Sequence, residues 1–169
     1  MAFSAQHTIA RSPGEVAEAL GTEAFHRTVI ESLGGSLVSF TREGDPAGAM
    51  TVTTVRTAPT DRVPEKARKF VGDNLQIEQV ERWNAPAADG SRTGTTTITV
   101  PKAKAVAEAS TALRAAGAGT EYAVDGTLTC KIPLVGSTLA SKAEPMVGKV
   151  VTRQARELQA WLDGRDQQS

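Results

Sequence analysis

The chain has 169 residues, 19 basic and 19 acidic, with apolar residues making up 40% of the total and a single cysteine. That length suits one domain able to bury roughly two-thirds of its unfolded surface without staples. Charge balance leaves no net field for nucleic acid or anionic lipid, and no stretch approaches the roughly 20 apolar residues of a membrane helix. One cysteine, Cys130, excludes an intramolecular disulfide framework, and "MAFSAQHTIARS" lacks the apolar core of a secretory signal, so a cytoplasmic location is expected.

In "AFSAQHTIA" Phe3, Ala5, His7 and Ile9 alternate with polar residues, which predicts a strand with one buried face. "SPGE" supplies an N-cap at Ser12, proline at the first helical position and Glu15 three residues beyond the cap, so a short helix starts there and runs to about Leu20. "EAFHRTVIESL" then forms a second helix, stopped at Gly34-Gly35 where a left-handed C-cap is easy.

"SLVSFTRE" and "AMTVTTVRT" flank the turn formers of "GDPAG" and predict an antiparallel hairpin. The prolines of "APTDRVPEKARKFVGDN" exclude a central strand, and Pro64 opens a short helix ending near Gly72. "LQIEQVERW" and "TGTTTITVP" follow as a pair across "NAPAADGS".

"KAKAVAEASTALRAAG" conflicts with itself. Alanine content favours helix, yet "GTEYAVDGTLTCKI" alternates firmly after it and needs a neighbour. As a strand, "VAEASTALRAA" turns Ala107, Ala109, Thr111 and Leu113 inward, and the strand reading is adopted. Pro133 ends the next strand. Val135, Leu139, Ala143, Met146, Val147, Val150, Ala155, Leu158 and Leu162 then recur at helical spacing, so a long terminal helix lies with one face on the sheet. Pro145 falls inside it and predicts a kink or a break near Glu144. The domain covers 1–163, and 164–169 is a short polar tail.

The predicted fold class is α+β: a strand, two short helices, a curved antiparallel sheet of six to seven strands and a long C-terminal helix. This order resembles the START-like, or SRPBCC, superfamily with its helix-grip, Bet v 1-like fold. More specifically, "RVPEKARKFVG", "VERW" and "GTLTCKIPLVGSTLASKAEPMV" look like segments of the actinobacterial domain-of-unknown-function family numbered 2505. The resemblance implies an apolar ligand (lipid, sterol or polyketide) held between sheet and helix, with enzymes a minority.

Independently, the inward positions are small and the chain has only four Phe, two Trp and one Tyr to fill the space between sheet and helix. Room for a hydrophobic small molecule follows. The expected lining is His7, Val52, Thr54, Arg56, Ile77, Glu81, Trp83, Ala107, Ala109, Thr111, Tyr122, Val124, Leu139, Met146 and Val150. Three of these, His7, Arg56 and Glu81, are charged or titratable on an inward phase. They would orient a polar head or move protons, unless they reach water at strand ends or form a structural pair.

No HExxH, phosphate-binding glycine loop or nucleophile elbow is present, and His7 and His26 share no metal-ligand spacing. No metal, other cofactor or catalytic residue is assigned. The function expected is carriage of a hydrophobic or amphipathic molecule, without partners among nucleic acids. The alternatives are a non-enzymatic interaction module or homodimer, and an enzyme of cyclase, dehydratase or hydrolase type using the same cavity.

Overall fold

The computed structural model describes the backbone of residues 2–61, 63, 65–134 and 136–168, and their side chains other than those of 66, 67, 70, 146 and 165–168. Expectations that fall on Pro64, Val135 and the side chain of Met146 therefore lie outside the described residues. The chain forms β1 (Ala2–Ile9), α1 (Pro13–Leu20), α2 (Glu23–Ser32), β2 (Ser36–Gly44), β3 (Met50–Pro59), α3 (Glu65–Val71), β4 (Asn74–Trp83), β5 (Arg92–Val100), a 3-10 turn at Pro101–Ala103, β6 (Ala105–Ala116), β7 (Gly119–Cys130) and α4 (Gly136–Gln168). The strands make one curved antiparallel sheet in the order β1-β7-β6-β5-β4-β3-β2.

Local chemistry explains most boundaries. Ser12 Oγ accepts the Glu15 amide at 3.3 Å and starts α1. Gly34, at φ 86°, supplies the left-handed residue after α2. The β2–β3 turn is held by Asp45 Oδ1, which accepts from the Ala47 amide at 2.8 Å. The alanine-rich segment is strand β6, paired on both sides in unbroken register with β5 and β7. Two ladders of backbone hydrogen bonds outweigh the local helix preference of its alanines, which is a fraction of a kcal/mol per residue.

Helix α4 is continuous through Pro145, so the chain is not broken there into two segments. A proline inside a helix costs about 3 kcal/mol. Packing on both sides of it offsets that cost: Ala140 is buried ahead of it, and Ala155, Leu158 and Leu162 are buried beyond it. The backbone of α4 also continues through residues 164–168, where a tail is expected from sequence.

α4 packs chiefly on β1 and β7, at one edge of the sheet, and on α1 and α2. The main core gathers at the end of the sheet nearest these two helices, around Ile9, Leu20, Phe25, Met50, Val52, Trp83, Leu113 and Leu158. There Phe25 meets Trp161 edge to face, with ring centres 6.0 Å apart. A smaller cluster of Ala107, Leu128 and Ala140 joins the first half of α4 to β6 and β7.

Gly126 is required by close packing between β1, β6 and β7. A Cβ there would sit 2.7 Å from both Ala109 Cβ and Phe3 Cζ. Gly126→Ala is expected to destabilise the protein by about 1–3 kcal/mol through overpacking, checked by urea denaturation.

Candidate functional site

Because α4 leans on the β1–β7 edge, the inward faces of β3 to β6 are left with space above them. A cavity of about 340 Å³ occupies it, within the range expected of small-molecule sites. β4 contributes Leu75, Ile77, Gln79 and Glu81 to its wall, and β5 contributes Thr96, Ile98 and Val100. β6 adds Ala105, Ala107, Ala109 and Thr111, whose short side chains are the direct reason for the space. The roof is α4, through Leu139, Ala143, Val147, Val150 and Val151. The wall reaches the surface beside the exposed Lys142, near the 3-10 turn, and its opposite end is closed by the main core.

The closed end is polar. Glu81 is 2% exposed, and its carboxylate is stabilised by the side chains of Gln154 and Gln79 and by the charge of Arg56. Arg56 Nη1 donates to Gln79 Oε1 at 3.0 Å. Gln154 Nε2, from α4, donates to the Tyr122 hydroxyl oxygen at 3.2 Å. Thr111 is also in the wall, but its Oγ1 is sealed beneath it, without a hydrogen-bond partner among the described residues.

Burial pushes the Glu81 carboxyl up to about 7, against the opposing effects of Arg56, Gln154 and Gln79. Burial, and then the charge of Glu81, drive the Tyr122 hydroxyl above its usual range, so it stays protonated. Burial likewise lowers Arg56, opposed by Glu81, but a guanidinium keeps its proton in proteins. His26, from α2, lies 3.9 Å from Glu81 through Nε2, and that nitrogen is 2.6 Å from the Leu20 carbonyl oxygen. A carbonyl only accepts, so Nε2 carries the proton and donates it there. Burial lowers the His26 pKa further than the Leu20 bond raises it, and Arg56 adds to the lowering. His26 is thus a neutral neighbour of Glu81, outside the cavity lining, rather than an ion-pair partner.

Of the residues expected from sequence, Arg56, Ile77, Glu81, Ala107, Ala109, Thr111, Tyr122, Val124, Leu139 and Val150 line this cavity. Val52, Thr54 and Trp83 share the inward face but are not in the wall. They are almost fully buried, Val52 and Trp83 within the main core, because the core fills that end of the sheet. His7 is not in the wall either. Its Nε2 is 3.2 Å from Thr152 Oγ1, so α4 covers it, and the trio of His7, Arg56 and Glu81 is not assembled. The histidine beside Glu81 is His26.

Gln79, Gln154 and His26 have weak signals in sequence. Gln79 does fall on the inward phase of "LQIEQVERW", between Ile77 and Glu81. Gln154 lies among polar residues of α4, and His26 sits in a helix distant in the chain, so only the packing shows their role. Among the described residues no group of three His, Cys, Asp or Glu side chains is placed to hold a metal ion, and no helix is long and apolar enough to cross a membrane.

A curved antiparallel sheet gripping a terminal helix over an apolar cavity defines the START-like, Bet v 1-like fold. Three solved structures share it. Ara h 8.0201 aligns at 15% identity with a TM-score of 0.54, over 95% of this chain and 98% of its own. Human STARD10 aligns at 9% identity and a TM-score of 0.60, over 98% and 66%. The di-domain ARO/CYC StfQ of the steffimycin biosynthetic pathway aligns at 11% identity and a TM-score of 0.62, over 98% of this chain and 51% of StfQ, so the chain spans about half of that protein. Residues 4–162 match the model of "Protein of unknown function (DUF2505)", and the chain belongs to that family. No curated protein matches the sequence.

Proposed function

We propose that this protein binds and carries a hydrophobic or amphipathic small molecule, lipid-like or polyketide-like, in the space between the sheet and α4. The observation that carries this reading is the cavity of about 340 Å³ with an apolar wall and a polar end. An apolar wall gains by excluding water, about 25 cal/mol for each Å² of ligand and wall removed from solvent. A few fixed polar groups then orient what binds. The test is native mass spectrometry of the protein purified from its own host, followed by organic extraction. A stoichiometric apolar molecule is the expected result. Protein that is empty, and that also fails to take up a neutral apolar fluorophore, would overturn the reading.

Glu81 favours a second reading, acid–base chemistry on the bound molecule, because a carboxyl titrating at about 7 both gives and takes protons near neutrality. Recovery of a chemically altered molecule after incubation would support it.

A further inference from the structure

The polar end of the cavity holds a guanidinium and a hydroxyl with hydrogens to spare. Arg56 commits one N–H to Gln79 Oε1, and the rest of its guanidinium lies beside the cavity and Glu81. The Tyr122 oxygen accepts a hydrogen bond from Gln154 Nε2, which leaves its own hydroxyl hydrogen free for another acceptor. Thr111 Oγ1, on a residue only 4% exposed, has no partner. That hydroxyl is sealed from the cavity, turned toward Gly94 of β5, so the donors open to a ligand are those of Arg56 and Tyr122. Gln79 Oε1 already accepts from Arg56, and the Glu81 carboxyl accepts from the Gln79 and Gln154 side chains.

Resting on the carrier reading, we propose that the cavity selects amphiphiles with a single carboxylate head, seated against Arg56 and Tyr122, with the apolar tail running toward Lys142. Carboxylate oxygens complement the Arg56 guanidinium and the Tyr122 hydroxyl. Below about pH 7, where Glu81 holds its proton, a cationic head would meet Arg56 uncompensated and be repelled. The tail then lies along Ile98, Ala107 and Val147, where no polar group is lost on binding.

Such a head brings a second anion beside Glu81, so Glu81 takes up a proton as the ligand binds. Of Glu81 and the described groups facing it, the Glu81 carboxyl is the one best placed for that role. Arg56 from β3 and Tyr122 from β7 hold their protons, and His26 from α2, with Nε2–H on Leu20, would have to charge at Nδ1, which its burial opposes. Gln79 from β4, Thr96 from β5, Thr111 from β6 and Gln154 from α4 do not titrate.

The test is displacement of a neutral naphthylamine fluorophore from the wild-type protein by dodecanoate, dodecanol and dodecylammonium. At about pH 6 dodecanoate is expected to bind about tenfold more tightly than dodecanol, with dodecylammonium weakest. Above about pH 7 its affinity is expected to fall by up to about tenfold per pH unit, as uptake of one proton requires. Glu81→Gln is expected to flatten that slope, and Arg56→Met to bring the dodecanoate-to-dodecanol ratio toward unity. Dodecanol binding as tightly as dodecanoate at the lower pH, or identical pH profiles for wild type and Glu81→Gln, overturns the proposal while fluorophore uptake leaves the carrier reading standing. If neither the fluorophore nor any of the three amphiphiles binds, the carrier reading fails and the proposal with it.

Discussion

Glu81→Gln is expected to make the protein more stable than wild type above neutral pH, with the advantage shrinking on acidification. The carboxyl titrates at about 7 in the folded state against 4.5 when unperturbed. Between those values the native protein holds a proton that the unfolded chain has released, so wild-type stability falls as pH rises through this window. A shift of that size corresponds to about 3 kcal/mol, lost by about pH 8 and recovered by about pH 4. His26 works in the opposite direction. Its folded pKa lies below 6.5, so the unfolded chain binds the extra proton and acid destabilises the native state. Wild type alone therefore shows a flattened profile on the acid side, in which the two groups partly cancel. The difference between wild type and Glu81→Gln isolates the carboxyl, because His26 is common to both. Urea denaturation of both proteins at several pH values measures it. A difference independent of pH would mean that Glu81 titrates normally and is not held in a dry site.

Ala109→Phe is expected to lower affinity for a neutral apolar fluorophore by at least about tenfold, or roughly 1.4 kcal/mol, while leaving the fold intact. Ala109 stands on the inward face of β6, opposite Thr96 and Gly126, and lines the cavity. A benzyl group there projects into existing space and buries its own apolar surface, so overpacking of the kind forced on Gly126 is avoided. Ser110→Phe is the control. It adds the same ring one residue along, where the side chain is exposed, and is expected to leave uptake unchanged. Fluorescence titration of the three proteins, with thermal melts to verify folding, decides the matter. Equal uptake by wild type and Ala109→Phe would place the fluorophore outside the cavity.

Much of the architecture is legible from local chemistry. Ser12 and Glu15 begin α1, and Gly34 ends α2, because their side chains, or the lack of one, settle orphan backbone groups within a few residues. The alternation of Tyr122, Val124, Leu128 and Cys130 determines which face of β7 meets the cavity, and the need of that strand for a partner turns alanine-rich β6 into a strand. The same period marks Arg56, Glu81 and the small residues of β6 as inward.

Which inward residues meet empty space was decided by tertiary structure. Period places Val52, Thr54 and Trp83 on the same face as Arg56 and Glu81, but the core formed by α1, α2 and the end of α4 closes over that end of the sheet. Continuity of α4 through Pro145 was likewise decided by the contacts that flank it, not by the proline. Above all, the polar end joins Glu81 to Gln154 of α4 and His26 of α2, residues 73 and 55 positions away, through two helices laid against a sheet. Alternation and helical spacing report only which face a side chain takes. The distance between two such faces, and what lies between them, depends on how the elements pack.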